Sequence, residues 1–317
     1  MLLTLLFSCS TPTPTPPLTT DFSITTYESP ELGDAFGFAV AAGEHVLVGA
    51  PEGDLGRVYT LQKETVELIF EEDAFGAAGH AVAYGPDGEV LIGAPLAENG
   101  LGSVYRDGGV LREGLGALGA RIQPTTSGTV LSESQGFWVN DERTELPHRF
   151  SSVALWNDTW TVGMAYAEDA LWTPGDTIAR NHLDDLAGYS ICSANFDEDP
   201  EAELAVGAPG SGLVYLLNPG DTLATAQTIG PGSGRFGHAL ACRDNLLLVG
   251  APTYGENLSG AVWCFRGPMP TWKLNGPLHV GRHWQQTGFS VTVSEKMMAV
   301  GSPGSAAVRG EVTTWTR

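Results

Sequence analysis

An acidic stretch, residues 195–203, carries the side chains best suited to chemistry. Oxygen-bearing side chains occupy every second position of this stretch, namely Asn195, Asp197, Asp199, Glu201 and Glu203. A hard cation such as Ca²⁺ takes about six to eight oxygen ligands, and a tight loop with alternate ligands can direct them to one point. The pattern predicts a Ca²⁺ site, and the alternative is a solvated acidic hairpin without an ion.

Sequence motifs of common enzyme active sites are absent from the chain. There is no Gly-x-Ser-x-Gly turn, no His-Glu-x-x-His pair and no glycine-rich phosphate loop. Paired carboxylates can hydrolyse glycosidic bonds, but the distance between two such groups cannot be read from a sequence. We therefore expect a protein without catalytic activity, and a glycan hydrolase stays open as the alternative.

Composition excludes several classes of protein. The chain has 317 residues, of which 42% are hydrophobic, and 16 Lys and Arg stand against 37 Asp and Glu for a net charge of -21. The hydrophobic content excludes disorder for the bulk of the chain, and the acidity argues against a nucleic-acid partner. No apolar run approaches the roughly 20 residues of a membrane-spanning helix. The 41 glycines and the many short Val, Leu and Ile runs favour an all-β fold.

Five segments of the chain share one pattern, which sets the fold. Each segment begins with a glycine that usually follows Phe or Ala. A Gly-Ala-Pro or Gly-Ser-Pro sequence comes next, and a Gly-x-Val sequence, followed in most copies by an aromatic residue, ends the segment. The opening glycines are Gly37, Gly79, Gly188, Gly237 and Gly288, and the glycines of the Gly-Ala-Pro element are Gly49, Gly93, Gly207, Gly250 and Gly301. Each copy reads as three short strands, because proline ends a strand and the Val-aromatic pair suits a packed pleated surface. His80 and His238 take equivalent places in two copies, which predicts a shared packing role.

The repeat resembles the FG-GAP repeat, the blade motif of the β-propeller of integrin alpha subunits. The interval from Gly93 to Gly207 has room for two divergent copies, one starting at Gly119 and one at Phe150. Seven units of about 42 residues match the period of a four-stranded propeller blade. We expect a seven-bladed β-propeller, with residues 21–27 supplying the outer strand of the last blade and so closing the ring.

The resemblance also implies how the acidic stretch would hold Ca²⁺. FG-GAP repeats commonly carry a calcium loop between the first two strands of a blade. By this likeness, Asn195, Asp197, Asp199 and Glu203 would be side-chain ligands, and Glu201 would give its backbone carbonyl. The family usually has Asp, Gly and Asp at the first, sixth and ninth positions, where this chain has Asn195, Pro200 and Glu203.

The start of the chain indicates export and a lipid anchor. Residues 1–9 resemble a lipoprotein signal ending at Cys9, and residues 10–20 form a Thr/Pro-rich spacer ahead of a propeller over residues 21–317. Alternating prolines favour an extended, semi-rigid segment. We expect a bacterial envelope protein that is lipid-anchored to a membrane or secreted, with a shortened ordinary signal peptide as the alternative.

The remaining cysteines, Cys192, Cys242 and Cys264, are expected to be small buried residues, with a Cys242–Cys264 bridge as the alternative.

The expected function is ligand binding or adhesion at an outer surface, by likeness to the ligand-binding head of integrin alpha subunits. The partner would be a protein or a glycan, and the sequence does not indicate an oligomeric state. Aromatic residues anchor many interfaces, and the third and fourth blades supply the candidates Phe137, Trp138, Trp156, Trp160 and Trp172, with core packing as the alternative for them. A propeller-fold glycan hydrolase and a structural subunit of an envelope complex remain alternatives.

Overall fold

The computed structural model describes residues 22–72, 76–125, 128–146, 149–174, 176–180, 183–197, 199–269, 272–274, 276–304 and 308–317. The predicted lipidation residue Cys9 and the spacer over residues 10–20 lie outside these ranges. Within the described chain, no helix is long and apolar enough to cross a membrane.

Short β-strands dominate the described residues. In chain order they are β1 (Ser23–Glu28), β2 (Ala39–Ala42), β3 (Val46–Ala50), β4 (Gly56–Gln62), β5 (Thr65–Glu72), β6 (Ala81–Tyr84), β7 (Val90–Ala94), β8 (Ser103–Arg106), β9 (Gly109–Glu113), β10 (Ile122–Thr125), β11 (Gly128–Glu133), β12 (Gly136–Val139), β13 (Glu142–Glu145), β14 (Ser152–Trp156), β15 (Thr159–Gly163), β16 (Asp169–Thr173), β17 (Asp176–Arg180), β18 (Ser190–Ala194), β19 (Glu203–Ala208), β20 (Leu213–Leu217), β21 (Gln227–Ile229), β22 (Ala239–Arg243), β23 (Leu246–Ala251), β24 (Ala261–Arg266), β25 (His279–Val280), β26 (Ser290–Val293), β27 (Met297–Ser302) and β28 (Glu311–Thr316). A one-turn helix, α1 (Ala97–Gly100), and two 3₁₀ turns (Leu183–Asp185 and Glu256–Leu258) interrupt them.

The strands form seven four-stranded antiparallel sheets across the described ranges, which are the blades of a β-propeller. Six blades take four consecutive strands each, from β2–β5 to β22–β25. The first strands of neighbouring blades contact one another all the way round, from β2 and β6 to β26 and β2. The expected all-β, seven-bladed propeller is confirmed, and it includes the two divergent blades, β10–β13 and β14–β17.

The two ends of the chain close the ring. The seventh sheet has the order β1-β28-β27-β26, so that the first described strand is the outer strand of the last blade. Ser23 lies opposite Thr316 and Glu28 lies opposite Glu311 in an antiparallel register. The predicted closing strand is confirmed, with its observed bounds at residues 23–28 rather than 21–27.

A close approach between two glycines joins neighbouring blades at six of the seven junctions. We call the glycine before the first strand of a blade its leading glycine, and the glycine near the end of the second strand its second-strand glycine. A Cβ placed on a second-strand glycine would overlap the carbonyl oxygen of the leading glycine of the following blade. The pairs are Gly49 with Gly79, Gly93 with Gly119, Gly163 with Gly188, Gly207 with Gly237, Gly250 with Gly288, and Gly301 with Gly37. The repeat therefore needs glycine here because two backbones meet.

Serine hydroxyls reinforce this seam in three blades. Ser152 donates to the carbonyl oxygen of Gly188 at 2.8 Å, Ser190 donates to that of Gly237 at 2.7 Å, and Ser290 donates to that of Gly37 at 2.7 Å. Each of these three carbonyl oxygens therefore has a hydrogen-bond partner from the preceding blade. Such a partner is needed because the carbonyls lie at a crowded, largely buried seam.

Aromatic and aliphatic side chains fill the space between blades. Phe36 and Tyr59 stack edge to face at 5.4 Å, and Phe236 and Trp263 do so at 5.2 Å. The cluster around Phe236 contains residues of both the fifth and the sixth blades. The Val-aromatic pairs of the repeat are therefore packing residues between blades.

The cysteine expectation is wrong for Cys192 and Cys242, and so is the alternative Cys242–Cys264 bridge, whereas Cys264 is free and packs against a core cluster. Cys192 and Cys242 form a disulfide, and Cys264 is the free cysteine of the described chain. Cys192 lies on β18 and Cys242 lies on β22, which are contacting first strands of neighbouring blades. Cys264 lies on β24, beyond the intervening strand β23, where it faces Leu248 rather than Cys242. Burial raises the pKa of the Cys264 thiol to about 12.

We predict that Gly250→Ala destabilises the protein by about 1–3 kcal/mol, the range found for overpacked sites. The added Cβ would meet the backbone of Gly288, which cannot move without displacing a neighbouring blade. Gly276→Ala is the matched control, because nothing lies within 4 Å of the position a Cβ would take there. Urea unfolding of both variants measures the difference, and equal stabilities would contradict the seam.

Candidate functional site

The acidic loop (residues 195–203) connects β18 to β19 in the fifth blade, and its neighbours fix its position. Phe196 is fully buried at its base and stacks edge to face on Trp272 at 5.1 Å. The Phe196 carbonyl oxygen accepts a hydrogen bond from the N–H of Met269 at 2.6 Å. The sixth blade therefore holds the start of the loop.

The fourth blade holds the end of the same loop. The indole N–H of Trp156 donates to the carbonyl oxygen of Ala202 at 2.6 Å, and the N–H of Ala202 donates to Oδ1 of Asn157 at 3.2 Å. The loop is thus held from both sides before any ion binds, which reduces the ordering cost of binding.

Three carboxylates converge inside the loop. Asp197, Asp199 and Glu203 each offer an oxygen, and these oxygens lie within 4.8 Å of one another. The N–H of Asp199 donates to Oδ1 of Asp197 at 2.9 Å, and the N–H of Glu201 donates to Oδ1 of Asp199 at 2.8 Å. These backbone bonds hold the two aspartates in a tight turn that directs their carboxylates inward.

Glu203 distinguishes this loop from a solvated acidic hairpin. Its side chain has no solvent exposure, and Oε2 accepts a hydrogen bond from the N–H of Phe196 at 2.6 Å. Oε1 is buried and has no hydrogen-bond partner among the described residues. A buried, unpartnered carboxylate oxygen beside two further acids is costly unless a cation neutralises it. The residues therefore fit a bound Ca²⁺.

Electrostatics agree with this geometry. Burial raises the pKa of the Glu203 carboxyl, the N–H of Phe196 opposes the rise, and the charges of Asp197 and Asp199 add to it. In the absence of a cation the three acids repel one another, so a divalent ion would relieve both the burial cost and the repulsion.

Asn195 and Glu201, the other two expected ligands, lie differently. The amide group of Asn195 donates to the carbonyl oxygen of Asp199, which closes the loop across its mouth. The Glu201 side chain is exposed. The expectation that Glu201 contributes only its backbone carbonyl stays a prediction.

The aromatic candidates for a partner surface are mostly packing residues. Phe137 and Trp156 are buried, at 2% and 7% exposure, so the expectation that they are interaction residues is wrong. Trp160 and Trp172 are half-buried against the cluster between the third and fourth blades, and Trp138 lies 4.1 Å beneath the Arg112 guanidinium. These rings fill space in two blades that lack part of the repeat pattern.

A row of five rings lies at one end of the central axis, and the repeat pattern identified only its two histidines. Phe38, His80, Tyr189, His238 and Phe289 form what we call the aromatic collar. Adjacent ring centroids, taken in the order His80, Phe38, Phe289, His238 and Tyr189, lie 4.8 to 4.9 Å apart. Every collar residue directly follows a leading glycine, so aligning the repeats would have revealed it.

The two histidines of the collar pack against neighbouring rings, as their equivalent placement predicted, and their environment also lowers both pKa values. Burial, together with the nearby charge of Arg121, lowers the pKa of His80 to about 4. Burial, with the charges of Arg235 and Arg121, lowers the pKa of His238 to about 3. Nδ1 of His238 lies 3.1 Å from the carbonyl oxygen of Phe289, and its Nε2 lies 3.3 Å from the Tyr189 hydroxyl.

The collar is interrupted at the third and fourth blades, where the equivalent residues are the small Ala120 and Ser152. A cavity of about 600 Å³, which we call the axial recess, opens there, and its lining includes His80, Leu96, Arg121, Arg149, Tyr166 and Tyr189. A separate cavity of about 580 Å³ follows the axis between the first strands of the blades. Its described lining contains no acidic side chain.

No protein-family model matches the chain, and no curated protein matches it either.

We predict that Glu203→Gln stabilises the metal-free protein near pH 7. Because the folded-state pKa of Glu203 is raised, its contribution favours folding at low pH and is lost as the pH rises through the folded pKa. The neutral variant should therefore exceed the wild type in free energy of unfolding in EDTA near pH 7, and the difference should shrink towards about pH 4.

Glu201→Gln is the matched control for this experiment, since it removes the same charge from an exposed side chain of the same loop. Its stability should stay close to that of the wild type at both pH values. A Glu203→Gln protein that is less stable than the wild type near neutral pH would contradict the interpretation of Glu203 as a strained, unneutralised acid.

Proposed function

We propose that this protein is a non-enzymatic, extracytoplasmic ligand-binding module, an FG-GAP-type propeller that resembles the head of integrin alpha subunits. The axial recess is the observation that carries the proposal. It is a concave site at the end of the axis, and its volume is typical of small-ligand sites. Exposed side chains of Tyr166 and Leu96 line it, at 65% and 56% exposure.

Rigid surroundings support a binding role. The recess lies where four blades meet, from His80 in the second to Tyr189 in the fifth. Glycine backbone contacts join the second blade to the third and the fourth blade to the fifth. Backbone hydrogen bonds to Ser151 and Ala120 also orient Arg121, so part of the lining is held in place before a ligand arrives. Preorganisation of this kind reduces the entropy lost on binding.

The lining favours binding over glycan hydrolysis. Hydrolysis by paired carboxylates requires two acids about 5–10 Å apart around the scissile bond. Among the described lining residues of the recess, Glu133 is the acidic one, and its Oε2 accepts from Nε of Arg143 at 2.7 Å. A second acid to complete such a pair is not found in the described lining of either cavity.

We propose further that the acidic loop binds Ca²⁺ and that the ion is structural. Asp197, Asp199 and Glu203 would coordinate it through their carboxylates, and the unpartnered Oε1 of Glu203 supports this role. The ion would tie the loop to the folded state and stabilise it by preferential binding. None of these three acids is in the described lining of the recess, which is consistent with a supporting role rather than a catalytic one.

Display outside the cell completes the proposal. A lipid on Cys9 and the Thr/Pro-rich spacer over residues 10–20 would hold the propeller clear of a membrane. The Cys192–Cys242 disulfide suits an oxidising compartment.

Calcium binding is tested by titration calorimetry. We predict that the wild type binds Ca²⁺ with a dissociation constant of about 10⁻⁴–10⁻³ M, as in extracellular calcium modules, and that Glu203→Gln abolishes the binding heat. Glu201→Gln should retain it, because its side chain is exposed and only its carbonyl would coordinate. Absence of heat from the wild type at millimolar calcium would remove the calcium proposal.

Ligand binding is tested by screening the full chain against glycans and envelope surface proteins, with and without calcium. We predict saturable binding that a substitution in the recess, such as Tyr166→Ala, weakens. Tyr254→Ala serves as the control, since Tyr254 packs on Trp263 away from the recess. Saturable turnover of a glycan would favour the hydrolase instead, and a complete absence of ligands would refute the proposed function.

A further inference from the structure

The axial recess, whose role as a binding site rests on the proposed function, carries a charge opposite to that of the rest of the molecule. The chain has a net charge of -21, yet Arg121 and Arg149 both line the recess and are exposed. Neither arginine forms a salt bridge with another described residue. Two unpaired guanidinium groups in a strongly acidic protein mark a place where an anion would be attracted locally.

Arg121 is held ready for such an anion. Its Nε donates to the carbonyl oxygen of Ser151 at 3.2 Å, and its Nη1 donates to that of Ala120 at 3.1 Å. A guanidinium has about five N–H donors, so roughly three remain for a ligand once these two bonds are made. Because the backbone bonds fix its orientation, little side-chain entropy is lost on binding.

The described lining of the recess contains no acid that is free to neutralise these arginines. Glu133, the acid in its described lining, is buried, and its Oε1 accepts from the N–H of Leu115 at 2.8 Å while its Oε2 is bound to Arg143. The collar histidine His80 is neutral at pH 7, so it neither adds to nor competes with the arginine charge. The positive charge of the recess therefore comes from Arg121 and Arg149.

An exposed aromatic face lies in the same recess. Tyr166 is 65% exposed and contacts Tyr189 edge to face at 6.5 Å. Its contact with Tyr189 holds the ring while leaving most of its surface open. The Tyr166 ring is a flat apolar face with a hydroxyl at its edge. It can therefore pack against a ligand ring that is apolar on one face and polar at its rim.

We propose that the axial recess binds a carboxylate-bearing sugar, with the carboxylate at Arg121 and Arg149 and the sugar ring against Tyr166. A guanidinium matches a carboxylate through two parallel hydrogen bonds, which gives geometric selectivity as well as attraction. A sugar acid uses both the charge and the aromatic face, whereas an acidic peptide side chain uses the charge and leaves the Tyr166 face bare.

The test uses calorimetry on the full chain with three acidic probes and their neutral counterparts. The probes are a hyaluronan tetrasaccharide, a galacturonate trisaccharide and sialyllactose, and the counterparts are the first two with reduced carboxyl groups and lactose. At least one acidic probe should bind at least about tenfold more tightly than its neutral counterpart, and added salt should weaken it.

Three variants locate the interaction. Arg121→Gln and Arg149→Gln should each weaken the acidic probe by about tenfold. Arg106→Gln removes the same charge from an exposed position on β8 and should not change the affinity. Tyr166→Phe should keep the affinity and Tyr166→Ala should lose it, because only the ring face is used.

Each remaining outcome counts against the inference. Equal binding of acidic and neutral probes, unchanged binding in the two arginine variants, or no binding by any of the three acids would overturn it. Binding of a polyglutamate peptide that depends on Arg121 while the sugars fail would reassign the recess to peptides. If the wider screen still finds a neutral or protein ligand, the binding-module proposal survives and only the sugar-acid inference fails.

Discussion

The approach of one glycine carbonyl to the glycine of the preceding blade is the constraint on which the rest of the structure depends. Any side chain at Gly49 would overlap the Gly79 carbonyl, so the two backbones can meet only where both residues lack a Cβ. This contact recurs in six of the junctions and sets how closely neighbouring sheets pack. Six of the seven junctions thus repeat nearly the same geometry, which favours a closed ring of seven sheets.

The same constraint places the chemistry. A residue that follows a leading glycine must emerge beside the axis, and this is how Phe38, Tyr189 and Phe289 come to form a collar. At the junction between the third and fourth blades, Ser132 and Ser151 replace the glycine pair. The repeat departs from its pattern in these blades, and there the collar lacks rings and the axial recess opens. Divergence from the repeat and the candidate binding site therefore coincide.

The sequence was informative wherever periodicity fixes geometry. Blade number, the two divergent blades and the closing strand all follow from spacing, because a closed ring leaves few arrangements for a repeating unit. The acidic loop was predicted because oxygen-bearing side chains recur at every second position from Asn195 to Glu203, and three of them converge in the structure. That Glu203 is wholly buried could not be foreseen, since its burial depends on Phe196 and the sixth blade.

Other features depend on which strands become neighbours in space. Cys192 lies four residues after its leading glycine and Cys242 lies five residues after its own, so aligning the repeats does not match them. Their pairing needs two first strands to contact across a blade boundary. Phe137 and Trp156 looked available because blades three and four are irregular, yet irregular blades need large side chains to fill the spaces between them. The recess is lined by residues from four blades, so no local sequence pattern predicts it.

Closure of the ring is tested most directly by a cross-link between the ends of the chain. The hydroxyl oxygens of Thr26 and Thr313 lie 3.2 Å apart on paired strands. In a Thr26→Cys/Thr313→Cys protein, a closed ring predicts an intramolecular disulfide that forms in air and is found by peptide mapping of the monomer. Free thiols at both engineered positions of the folded monomer, or cross-linked dimers alone, would contradict the closed propeller.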